Sequence, residues 1–192
     1  MKRIATYFFL GSLLIANHEG PPAGNANNAP NFNNCTSCHA GSANSGDGSV
    51  VFTGLPTEYT PGATYEVTLT VTGTNSGGYG FQAAAQAGDN NSGSFSLNNS
   101  SSGSELNGDY IQQSDRSISG QWIFDWLAPS TDEGGITFSA SGLATGYSNG
   151  NDGDEVYTVS MTVPAATPTD LTGLFFSEYA EGSSNNKYLE IY

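Results

Sequence analysis

Apolar and polar residues alternate with a period of two through most of the chain from Gly48 onward. In "ATYEVTLTVTG", Tyr65, Val67, Leu69 and Val71 alternate with Glu66, Thr68, Thr70 and Thr72. In "EVYTVSMTVP", Tyr157, Val159, Met161 and Val163 repeat the pattern. A strict two-residue period with one polar face predicts antiparallel strands buried on one side. Further short runs rich in Val, Thr, Tyr and Phe include "SVVFTGL", "GYGFQAAAQA", "GSFSLN", "DYIQQS", "GQWIFDWLAP" and "GITFSASG", separated by Gly, Asn, Asp and Ser. Seven or eight such strands with turn signals between them predict an all-β, immunoglobulin-like antiparallel sandwich over residues 48–164. Trp122, Phe124 and Trp126 share one strand face, expected at the centre of the core; the other reading is an exposed aromatic binding platform. Met161 is expected in the core.

The flanks read differently. Residues 1–16, "MKRIATYFFLGSLLIA", have a basic head, an apolar run too short to span a bilayer, and Ala16 before polar sequence. That is the anatomy of a secretory signal peptide, and a retained interfacial anchor is the other reading. Residues 17–47 are crowded with Asn, Gly, Ala, Pro and Ser and are expected as irregular coil. Residues 165–173 read as a linker, and 174–192 as two strand-like runs about an Asn-rich turn. An unpartnered terminal hairpin exposes an edge, so more sequence beyond it, or another molecule, is expected to pair with it.

Charge narrows the partners. The chain has four Lys and Arg against eighteen Asp and Glu. Removal of the signal would leave Arg116 and Lys187 as the only Lys and Arg. Such a surface repels phosphate backbones and anionic headgroups, which argues against nucleic acid and against electrostatic membrane binding. No integral membrane span is expected.

The candidate chemistry sits in "NNCTSCHAG", residues 33–41, which holds both cysteines and one of the two histidines. A closed zinc site lacks enough strong ligands. A thioredoxin-like dithiol wants a βαβ setting. A structural disulfide between Cys35 and Cys38 closes a very short loop. The spacing of Cys35, Cys38 and His39 matches a c-type haem: two thioethers to one porphyrin, with His39 as the proximal iron ligand. His18 is the one remaining histidine and so the candidate distal ligand, in the same molecule or in a neighbour. Asp152, Asp154 and Glu155 in "NGNDGDE" have roughly calcium-loop spacing, without the EF-hand's glycine position or helices. No histidine pairs with a serine in a way that suggests a catalytic triad.

The order "GPPAG" (20–24), "AP" (29–30), "CTSCH" (35–39), "LPTEYTPGATYEVTLTV" (55–71), "GFQAAA" (80–85), "WIFDWLAP" (122–129) and "GDEVY" (153–157) resembles the exported bacterial choice-of-anchor V domains, themselves similar to reeler domains. The resemblance covers nearly all of residues 20–163. It implies a secreted sandwich fused to varied C-terminal anchoring modules, with no settled activity. Relatives often carry a histidine before the Trp-containing strand, where this chain has Gln112, Gln113 and Ser114. The tail from Leu174 is similar to the opening of lamin-tail domains of secreted Bacteroidetes-type proteins, only the start of which is present.

The sequence therefore predicts an exported, non-enzymatic β-sandwich carrying one covalent haem c. Its expected role is electron transfer or redox sensing at the cell surface or in the periplasm, with a redox protein or extracellular acceptor as partner. Self-association through the terminal strand or His18 is a further expectation. The competing reading is a secreted adhesion or glycan-binding module with a Cys35–Cys38 disulfide, binding through the Trp122, Phe124 and Trp126 face or the acidic loops.

Overall fold

The computed structural model describes residues 20–74, 77–146 and 153–167, and the strands at 176–181 and 187–191. Ten strands run in order: β1 (Ser49–Thr53), β2 (Thr64–Thr72), β3 (Gly78–Ala87), β4 (Asn90–Asn91), β5 (Ser94–Ser96), β6 (Ser104–Asn107), β7 (Tyr110–Gln113), β8 (Gln121–Leu127), β9 (Ile136–Thr145) and β10 (Glu155–Val163). They form two antiparallel sheets, one ordered β1-β2-β8-β5 and one β10-β9-β3-β7-β6 with β4 beside β3. Strands β11 (Phe176–Glu181) and β12 (Lys187–Ile191) pair as a separate antiparallel hairpin, matching the two strand-like runs of the tail.

The alternation places the core as expected. Val67, Leu69 and Val71 of β2 are buried, as are Trp122, Phe124 and Trp126 of β8. Removing each such side chain from water contributes roughly 1.5–3 kcal/mol before entropy is counted. Trp126 meets Phe138 edge-on at 4.8 Å between centroids, and Phe81 lies 4.5 Å from Trp122, so aromatics from both sheets interlock. The Trp122–Trp126 face is thus core, and it offers no exposed aromatic platform. Gly142 permits this closeness: a Cβ there would stand 2.6 Å from Val71 Cγ2.

Strands β3 and β9 depart from simple alternation. Ala83, Ala84 and Ala85, and Ser139, Ala140 and Ser141, are all buried, so both faces of the larger sheet are covered at its centre. The cover over the outer face is the segment from Gly20, expected as loose coil and found irregular but docked. Gln82 Nε2 donates to the Pro22 carbonyl at 3.1 Å, its Oε1 accepts from Asn25 N at 2.6 Å, and Gln86 Nε2 donates to the Ala29 carbonyl at 3.1 Å. Met161 also departs from expectation. It is 38 % exposed on β10, although Tyr157, Val159 and Val163 on the same face reach the core.

Candidate functional site

The Cys35–His39 stretch forms a single 3-10 turn, Cys35–Ser37, at the far end of that docked segment. Asn34 starts it, its Oδ1 accepting from Thr36 N at 3.0 Å and Thr36 Oγ1 at 2.8 Å. The amides of Cys38 and His39 both donate to the Cys35 carbonyl, at 3.2 and 2.9 Å. The turn is fixed to β9 by Cys35 N, which donates to Ser141 Oγ at 3.0 Å.

The two sulfurs lie in different surroundings. Cys35 is buried in a small apolar cluster with Leu143 of β9 and Val156 of β10, with Ala43 packed against it. Burial pushes its thiol up to about 11, although the Ser141 hydrogen bond pulls the other way. Cys38 is exposed. His39 Nδ1 is 2.6 Å from Asp154 Oδ2, and Asp154 is nearly fully buried, with Oδ1 accepting from Gly146 N at 2.8 Å. One carboxylate thus ties the turn to the ends of β9 and β10.

These positions correct the haem reading, and with it electron transfer and haem sensing. Two thioethers to one porphyrin need both sulfurs presented to the same edge of the ring, with the histidine beside them. Here Cys35 faces the sheet and Cys38 the solvent, and the Cys35 thiol sits in apolar packing that disfavours the thiolate. The His39 ring is held against the β9–β10 end by Asp154. Among the described residues no three His, Cys, Asp or Glu side chains come together in a way that could hold a metal. Both cysteines are thiols, so the short disulfide of the competing reading is not formed either.

Other sequence candidates fall as follows. His18, Asp152 and residues 1–16 lie outside the described residues. Glu155 Oε1 and Oε2 accept from Thr74 Oγ1 at 2.6 Å and Thr74 N at 2.9 Å, and Tyr157 donates to Oε2 at 2.9 Å. The Thr74 hydroxyl, more than the other bonds, holds the Glu155 carboxyl below its usual range. With Asp154 on Gly146 and His39, the two described acids of the loop are engaged with the protein itself.

What the sequence reading missed is the glutamine network. Gln82 Nε2 also donates to Gln112 Oε1 at 2.8 Å, and Gln112 Nε2 donates to Glu105 Oε1 at 2.8 Å, so β3, β7 and β6 are cross-linked beneath the N-terminal segment. Gln113 Oε1 accepts from Phe81 N. The available signal was Gln82 and Gln86 spaced four apart within an alanine run, on the face opposite the core. A hollow beside Ser92, Gly93 and Asp109 holds about 50 Å³, far below the size of a ligand pocket.

A family model described as the reeler domain matches residues 33–147. Among solved structures, the reelin-N domain of F-spondin is 17 % identical, with 69 % of this chain and 95 % of that one covered and a TM-score of 0.51. The human F-spondin reeler domain is 19 % identical, with 66 % and 94 % covered and a TM-score of 0.48. No curated protein matches the chain.

Proposed function

The chain belongs to the reeler domain family, and from that premise we propose that it is a non-catalytic, extracellular binding module of the adhesion type. The observation that carries this is the fate of the Cys35–His39 group. Two of its three chemically active side chains are turned to structural use, with Cys35 packed on Leu143 and Val156 and His39 bound to Asp154, so that the turn fastens the N-terminal cover to the sandwich. With the tryptophans in the core, contact with a partner falls to the polar outer surface and its acidic loops. The signal peptide at 1–16, the choice-of-anchor V affiliation and a lamin-tail-like unit from Leu174 complete the proposal: an exported sandwich held in place through its C-terminal side.

The test is binding of the exported chain, by surface plasmon resonance, to a panel of cell-surface polysaccharides and secreted proteins. Saturable, reversible binding to at least one, with both partners chemically unchanged, is expected. Failure to bind any of them, or covalent change in a bound partner, would overturn the proposal.

A further inference from the structure

The pair Cys35 and Cys38 sets this inference, which stands independently of the adhesion reading. They are the only cysteines of the chain, and both are thiols. Their main chains are close. Cys38 N donates to the Cys35 carbonyl at 3.2 Å, which closes a turn whose end Cα atoms lie under about 7 Å apart. Bridged cysteines span about 4.4–6.8 Å between Cα atoms, so the backbone is already near disulfide reach. The side chains also sense each other: burial above all, and the charge of Cys38 to a lesser degree, push the Cys35 thiol up.

The turn nevertheless keeps the sulfurs in different places. Cys35 is packed against Leu143, Val156 and Ala43, whereas Cys38 is exposed. Cys35 N is bonded to Ser141 Oγ at 3.0 Å, and His39 Nδ1 is held by Asp154 at 2.6 Å. A bridge between one sulfur facing the sheet and one facing solvent requires the main chain to move. Closing it takes Cys35 out of its apolar seat and off Ser141, two of the contacts that fasten the far end of the N-terminal cover to β9 and β10.

We propose that this pair is a redox latch: the dithiol fastens the cover, and oxidation to a Cys35–Cys38 disulfide releases its far end. The oxidant is a second disulfide, R–S–S–R, which reaches the exposed sulfur first. The Cys38 thiolate attacks one of its sulfurs, forming a mixed disulfide and expelling R–S⁻, which takes up the proton that Cys38 gave up. Opening of the turn then lets the Cys35 thiolate attack the Cys38 sulfur and expel the second R–S⁻, which is protonated in the same way. Two protein thiols are thereby oxidised to one disulfide, and R–S–S–R is reduced to two R–SH. Docking and bridging exclude each other, so the contacts that hold the cover also disfavour the disulfide. The folded chain is therefore easier to reduce than the unfolded one.

The test equilibrates the full chain with reduced glutathione and glutathione disulfide, traps the mixture with N-ethylmaleimide and reads the thiols by mass. The ratio of intramolecular disulfide to dithiol is expected to be at least about tenfold lower in the folded chain than in the same chain in concentrated urea. In the folded state Cys35→Ala is expected to take up one glutathione at Cys38, and Cys38→Ala next to none. Ser141→Ala, which leaves the Cys35 amide without its acceptor, is expected to move the folded ratio toward the value in urea. Hydrogen exchange of the oxidised chain is expected to speed up over residues 31–39 while the β2–β8 amides stay slow. Equal ratios in folded and unfolded chain, a mixed disulfide that never closes, or a disulfide that leaves residues 31–39 as protected as before, overturns the proposal.

Discussion

At the scale of single residues, two buried groups set measurable behaviour. The Cys35 thiol is raised from 9.0 to about 11 by burial. A group raised in the folded state stabilises fully below its unfolded value and loses that contribution as pH rises through the folded one. Cys35 therefore favours the fold up to about pH 9, and its contribution, on the order of 2 kcal/mol, fades between pH 9 and 11. Thermal melts across that range are expected to show falling Tm, with a shallower fall in Cys35→Ala. The slope does not vanish, because burial also raises the Tyr157 phenol, which titrates with the same sign. The second case is the pair of tryptophans on β8. Trp126 Nε1 donates to the Ser92 carbonyl at 3.3 Å, whereas Trp122 Nε1 is buried with no hydrogen-bond partner among the described residues. Replacing either by Phe leaves a similar void, but only Trp126→Phe orphans an acceptor. Denaturant titration is expected to find Trp126→Phe the costlier by about 1 kcal/mol, and equal losses would show that Trp122 has an internal water as partner.

At the scale of elements, the N-terminal cover behaves as part of the fold without being a strand. It is held by main-chain groups of Pro22, Asn25, Ala29 and Cys35 meeting side chains of Gln82, Gln86 and Ser141. Amide hydrogen exchange is expected to protect Asn25 and Cys35 well above an unstructured chain. Gln82→Ala leaves the Asn25 amide and Gln112 Oε1 short of a partner, at a cost of about 1–3 kcal/mol, and should raise exchange over residues 20–30 while the β2–β8 amides stay slow. Uniform loss of protection in both regions would instead make the cover inseparable from the sandwich. This element also marks where sequence reasoning stops. Strands β2 and β8 were legible because one side of each faces a core, and a two-residue period records that directly. The cover left no period, since its carbonyls are the acceptors and a carbonyl has no residue type. The Cys35–His39 spacing suits thioether attachment and a tight turn equally well. What separates them, the burial of Cys35 by Leu143 and Val156, comes from residues more than a hundred positions away. Met161 was misplaced for a related reason: alternation gives the face of a strand, not whether the opposite sheet extends far enough to cover it.

At the scale of the whole molecule, charge is the dominant imbalance. Four cationic residues face eighteen carboxylates, a formal charge of −14 at neutral pH. Among the described residues the one close pairing of a carboxylate with a basic group is His39 with Asp154, so most acids meet amides, hydroxyls or water. Some are close to each other: Glu66 and Asp125 stand directly opposite across β2 and β8, both accepting from Asn98 Nδ2, at 3.2 and 2.7 Å. Like charges in that arrangement oppose the pairing of their strands. Compaction therefore works against self-repulsion, which added salt screens over a Debye length of about 10 Å at 0.1 M and about 3 Å at 1 M. Tm is expected to rise by several degrees between 0.02 and 0.5 M NaCl, most of the rise falling below about 0.2 M, where the screening length changes fastest. Sodium sulfate at matched ionic strength separates screening from exclusion of the salt at the protein surface, which also stabilises but keeps growing at high concentration. A Tm that does not change below 0.2 M would mean that the carboxylates are already compensated. Glu66→Gln, which removes one member of the opposed pair, is expected to raise Tm at low salt and to lose most of that advantage at 0.5 M. A gain that persisted at high salt would assign the effect to local hydrogen bonding with Asn98 rather than to charge.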